Sequence, residues 1–117
     1  MFYPGRSTRV YIAPGATDMR KAINGLSLLV ADQLDLDPLS GHLFAFCNRK
    51  QDMVKILYWD RNGFCLWHKR LEKDRFPWPE TVEDVLTVRG HELGWLLDGL
   101  CLDQRTAHQC LEYQTMA

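Results

Sequence analysis

The stretch KILYWDRNGFCLWHKRLEKDRFPWP, residues 55–79, sets two apolar runs on either side of an Asn-Gly step and crowds three tryptophans among six cations. Asn62-Gly63 between apolar runs is the strongest short-range hairpin signal a sequence offers, so MVKILYW (53–59) and FCLWHKRL (64–71) are predicted to pair as antiparallel strands. Upstream, HLFAFCN (42–48) supplies a third strand through the polar turn NRKQD, and downstream FPWPE (76–80) ends regular structure. Apolar residues occupy both faces of these strands. The sheet therefore needs a cover on each side: a helix on one, and a C-terminal element or a second subunit on the other.

The rest of the chain supplies candidate covers. RVYIA (9–13) reads as a short strand closed by the Pro14-Gly15 turn. Met19, Ala22, Ile23, Leu26, Leu29, Val30 and Leu34 then recur at spacings of three and four, which predicts a helix over 18–34 capped by Thr17 or Asp18. Arg20 and Lys21 would stand in its first turn, where the macrodipole disfavours positive charge, so they hint at a role other than helix stability. LDPLSGH (36–42) is a loop, DVLTV (84–88) a last strand, and HELGWLLDGL (91–100) a short helix with Leu93, Leu96, Leu97 and Leu100 inward. The expected fold is a single α+β domain over 1–102: an antiparallel meander sheet of about four or five strands, one main helix packed on a face, and a short C-terminal helix. Residues 103–117 carry no clear pattern and are expected to form a poorly ordered or loosely helical tail.

At 117 residues, 46% hydrophobic and 25% charged, the chain has an ordinary globular composition. It shows no membrane-length apolar run and no signal-peptide pattern at MFYPGRSTRV, which points to a cytoplasmic protein without a membrane partner. Cys47, Cys65, Cys101 and Cys110 form no CxxC pair and read as reduced thiols. The net charge of −1 hides an asymmetry: residues 48–75 hold eight cations against four acids, whereas residues 76–117 hold two cations against seven acids. Such polarisation steers an anion toward one side and leaves the other for a basic partner.

Two turn geometries suit the hairpin. A two-residue turn on Asn62-Gly63 sets Lys55 opposite Arg70; a three-residue turn with Gly63 left-handed sets Lys55 opposite Lys69. Either way like charges face each other across the ladder, a local cost that an anionic partner would offset. DNA phosphate fits that role, with Arg49, Lys50, Arg61, Lys73 and Arg75 flanking the ribbon. Aromatic residues among cations also suit single-stranded nucleic acid. The plainer alternatives are that Trp59, Trp67 and Trp78 are core side chains and that Asp52, Asp60, Glu72 and Asp74 neutralise the cations locally.

Metal and catalytic chemistry find less support. Cys65 and His68 have C-x-x-H spacing, but residues three apart on a strand point to opposite faces. Asp18, Asp60 and Glu72 are the acids that a magnesium-dependent nuclease would need together, and nothing in their spacing unites them. No Ser, Cys or His stands in a recognisable nucleophile arrangement, so no catalytic residue, metal or cofactor is expected.

TDMRK (17–21), LDPLSGHLFAF (36–46), KILYWD (55–60), GFCLWHKRLE (63–72) and RFPWP (75–79) resemble the TnpB family of accessory proteins, the second reading frame of IS66-type bacterial insertion sequences. This family is distinct from the RNA-guided nuclease of the same name. The resemblance runs from Arg9 to Pro79, is weaker through the 91–100 helix, and does not extend past Leu102. It implies a role in DNA transposition beside a separate transposase that carries the chemistry. The family's basic positions map onto Arg20, Lys21, Arg49, Lys55, Lys69, Arg70 and Arg75. Ala22 and Asn24 depart from the family's frequent Gly and Asp.

Residues and resemblance together lead to a non-enzymatic accessory protein for transposition. Its expected partners are DNA at the element ends, bound through Arg20, Lys21, Arg49, Lys50, Lys55, Arg61, Lys69, Arg70, Lys73 and Arg75, the transposase of the same element, and a second copy in a possible homodimer. The alternative is a protein interaction module that bridges the transposase without touching DNA.

Overall fold

Burial on both faces of the central strands organises the computed structural model, which describes residues 8–79 and 85–98. Strands β1 (Val10–Ile12), β2 (Leu43–Cys47), β3 (Met53–Asp60), β4 (Gly63–Arg70) and β5 (Leu86–Val88) form one sheet in the order β4-β3-β2-β1-β5. Helix α1 (Ile23–Asp32) connects β1 to β2, and α2 (Gly90–Leu97) follows β5. The arrangement is α+β, and β2, β3 and β4 form the expected antiparallel meander. The sheet is mixed, however, because β1 pairs with β2 in parallel. A helical crossover of this length returns the chain to the same end of the sheet, which makes the pair parallel.

All of β2 is buried, and successive side chains enter two different cores. Leu43, Ala45 and Cys47 join Val54, Ile56, Phe76, Trp78 and the Leu93, Leu96 and Leu97 face of α2. Phe44 and Phe46 join Leu57 and the Leu26 and Val30 face of α1. The second cover is thus the 76–78 segment together with α2, supplied by the chain itself. Trp78 is 4% exposed, and its indole N–H donates to the Ala13 carbonyl at 2.8 Å, so the proline-flanked segment is anchored across the sheet end.

The hairpin adopts neither expected register. Asp60 pairs with Gly63, so Arg61 and Asn62 form the turn, with Arg61 at φ 53° and Gly63 already in β4. The reason lies in the core: this register sets Ile56 opposite Trp67 and Leu57 opposite Leu66. The Asn62-Gly63 turn would have set Lys69 and His68 opposite those two core residues. Burial of matched apolar pairs outweighs the local turn preference. Consequently Lys55 faces His68, Lys69 faces Val54 and Arg70 faces Met53, and the like-charge argument for the ladder does not hold.

Helix α1 also starts later than its periodicity suggests, at Ile23, after Ala22 with no side-chain cap. Asp18 does not cap it. Its carboxylate accepts the Arg20 backbone N–H at 2.9 Å, while the Lys55 ammonium donates to the Met19 and Lys21 carbonyls at 2.8 and 3.1 Å. Those carbonyls would have accepted the next helical turn. A tertiary contact from β3 therefore holds residues 18–22 as a loop, and the macrodipole argument for Arg20 and Lys21 lapses with the shorter helix. The expected 91–100 helix spans Gly90–Leu97, and the tail from 103 lies outside the described residues.

Candidate nucleic-acid interface

The topology gathers three connections at one end of the sheet. β1 and β2 end there, β3 starts there and β4 ends there, as the pairs Ile12–Ala45, Cys47–Val54 and Met53–Arg70 show. The chain after β1, the β2–β3 turn and the chain after β4 are therefore neighbours. Backbone hydrogen bonds tie them: Thr17 N–H to the Cys47 carbonyl at 2.7 Å, Gly15 N–H to Pro79 at 2.9 Å, Leu71 N–H to Asp52 at 2.8 Å and Phe76 N–H to Gln51 at 2.7 Å. Asn48 closes the turn with its side chain. Its Oδ1 accepts the N–H groups of Asp52 and Met53 at 3.1 and 3.0 Å, and its Nδ2 donates to the Asp52 carboxylate at 2.6 Å. A cleft of about 220 Å³ separates Gly15 and Ala16 from Asn48, Arg49 and Gln51.

Seven of the cations singled out from the sequence stand on this platform, all exposed: Arg20 and Lys21 on the α1 side, Arg49 and Lys50 at the turn, Arg70 at the end of β4, and Lys73 and Arg75 after it. Among the described residues the ion pairs are Arg20–Asp18 at 2.7 Å and Arg70–Glu72 at 3.3 Å; none engages Lys21, Arg49, Lys50, Lys73 or Arg75. The guanidinium of Arg20 hydrogen-bonds the Asp18 carboxyl and holds it down at about 2, while the same bond pushes Arg20 upward. That pair stays charged, and internally neutralised, at any physiological pH. Opposite-charge neighbours at the surface bind weakly, so the free cations dominate the local field.

The other three sequence candidates are elsewhere. Arg61 is in the β3–β4 turn, at the far end of a hairpin of two eight-residue strands. Lys55 lies on the α1 side and is occupied by two loop carbonyls. Lys69 projects from the opposite face and donates to the Leu97 carbonyl at 3.3 Å, where a cation suits the C-terminal end of α2. Lys55 and Lys69 thus each engage backbone carbonyls, on opposite faces of the sheet. The sequence reading missed the positioning role of Asn48. Its signal was present, since an Asn at a strand end before a short polar turn commonly bonds the backbone ahead of it.

The same geometry separates the metal candidates. Asp60 is at the Arg61 end of the sheet, away from Asp18 and Glu72, and Cys65 and His68 fall on opposite faces of β4. Among the described residues no three His, Cys, Asp or Glu side chains gather as a metal site would require. Cys47 and Cys65 are free thiols, and burial pushes Cys47 up to about 12, which makes it a core side chain and a poor nucleophile. No helix among the described residues is long and apolar enough to cross a membrane.

A five-stranded mixed sheet with both faces covered, and with cations exposed on the loops at one end, defines a small α+β protein. The chain belongs to the family described as IS66 Orf2-like protein, which matches residues 8–107 and so extends past Leu102, where the quoted likeness stopped. Two similar proteins of Sinorhizobium fredii carry the names uncharacterized protein y4hO and uncharacterized protein y4jC. The first is 39% identical over 100 residues, covering 86% of this chain and 87% of its own. The second is 34% identical over 100 residues, covering 86% of each. No solved structure matches the chain. Family membership supports a role accessory to transposition of an IS66-type insertion sequence.

Proposed function

We propose that the protein is a non-enzymatic accessory factor of transposition that holds DNA, at or near element ends, against the basic end of its sheet. The observation that supports this reading is the convergence of Lys21, Arg49, Lys50, Lys73 and Arg75, exposed and without carboxylate partners among the described residues, on three backbone-tied loops. Rigidly held cations bind phosphate without the entropic cost of ordering long loops. The test is fluorescence anisotropy of a labelled element-end duplex with the parent protein, with Arg49→Glu/Lys50→Glu/Arg75→Glu, and with Arg61→Glu. The triple variant should lose most of its affinity and Arg61→Glu should keep it. Equal binding by parent and triple variant would overturn the proposal.

A bridging role toward the transposase is the second reading. It draws on Trp95, 39% exposed on the outer side of α2 with its ring edge-on to His91. Co-purification with the transposase that survives nuclease treatment, and that Trp95→Ala abolishes, would favour it.

A further inference from the structure

Resting on the DNA-contact reading above, we infer that the basic end grips the sugar-phosphate backbone of double-stranded DNA, without stacking on bases and without reading their sequence. The disposition of aromatic rings carries the first part. Single-strand binders interleave cations with exposed rings on which bases stack. Here the rings close to the cations in sequence face inward: Phe46 and Phe76 are 0% exposed, Trp78 is 4% exposed, and Trp67 packs against the same core as Phe76 and Trp78. Trp59 and Phe64 pack edge-to-face at 5.0 Å, beside the β3–β4 turn at the other end of the sheet. The exposed ring of Trp95 belongs to α2, which carries no Lys or Arg and does carry Glu92. No stacking platform accompanies the cations among the described residues.

The covered sheet carries the second part. A ribbon reads bases by laying a face in a groove, and the faces of β3 and β4 are covered, by α1 on one side and by α2 with residues 76–78 on the other. Nor does α1 serve as a recognition helix. Its exposed positions are Asn24, Leu28, Ala31 and Asp32, without a cation. What remains for DNA is charge held on loops, which positions a duplex and carries no sequence information.

The cations also stand on three separate segments rather than along one strand: Lys21 on the α1 side, where Lys55 holds its carbonyl, Arg49 and Lys50 at the β2–β3 turn, and Lys73 and Arg75 in the segment that leads into the buried Phe76.

The experiment titrates the full chain into three labelled probes, an element-end duplex, a scrambled duplex of equal length and one separated strand, at several salt concentrations, while recording intrinsic tryptophan fluorescence. The two duplexes should bind within about twofold of each other and more tightly than the single strand, with a steep salt dependence and unchanged tryptophan emission. Lys21→Glu and Lys73→Glu should each lower the salt slope on the duplex by about one. Tighter binding of the single strand with quenched tryptophan would overturn the inference in favour of stacking, and a tenfold or greater preference for the element end would overturn it in favour of base reading. Absence of binding to all three probes at low salt would overturn the DNA-contact reading itself, and this inference with it.

Discussion

Lys55 separates a fold-holding cation from a DNA-contacting one, and Lys55→Met tests which it is. Met keeps the aliphatic stem that crosses the α1 side and removes the ammonium, along with hydrogen bonds to the Met19 and Lys21 carbonyls at 2.8 and 3.1 Å. A hydrogen bond from a charged donor contributes about 1.5–3 kcal/mol when sheltered. The Met19 contact is partly buried and the Lys21 contact is exposed, so the second counts for little and the sum is about 2 kcal/mol. For a domain of this size that corresponds to a melting temperature lower by about 10 °C. Thermal unfolding followed by circular dichroism measures the shift, and a parallel DNA titration well below the melting point measures the salt slope, which should match the parent's. A variant that melts with the parent while its salt slope falls by about one would refute the reasoning and return Lys55 to the binding surface.

Asn48→Ala should lower the urea midpoint by an amount equivalent to about 2 kcal/mol, since it deletes three hydrogen bonds that shape the turn, and should weaken DNA binding by loosening Arg49 and Lys50; an unchanged midpoint would mean the turn holds itself. At high pH the buried Cys47 thiol should become a liability: its folded value of about 12 stands above the ordinary thiol value of 9.0, so its contribution is intact below pH 9 and is lost as pH rises toward 12. Urea midpoints measured across that range should fall less steeply for Cys47→Ala than for the parent, and parallel slopes would contradict the assignment.

The strands were legible because they are short, apolar and bounded by turn residues. RVYIA and HLFAFCN contain the strands found there, MVKILYW and FCLWHKRL match β3 and β4 to within one residue at each end, and HELGWLLDGL overlaps α2, which starts one residue earlier and ends three residues sooner. Local periodicity also showed that the sheet was apolar on both sides, and thereby that two covers were needed. A Cβ added at Gly25 of α1 would lie 3.3 Å from the Lys21 side chain, so a larger residue there would press on the loop.

The candidate site was legible as a list of residue types and not as a place. Ten cations were named from the hairpin, the charge asymmetry and the family resemblance, without applying to Lys69 and Arg70 the strand alternation that separated Cys65 from His68. Alternation along β4 separates them: Arg70 falls on one face, near the loops, and Lys69 on the other, under the end of α2. Register is likewise a tertiary decision. Asn62-Gly63 is a strong local preference, yet the pairing that buries Ile56 with Trp67 and Leu57 with Leu66 is worth more than the turn. Sequence by itself determined the strands, the two-sided sheet and the charge of this protein, because each depends on residues close in the chain, while the start of α1 waited on the Lys55 contact. The tertiary structure alone decided which cations are spent on backbone carbonyls and which stand free together, because that depends on contacts between residues 28 to 36 positions apart.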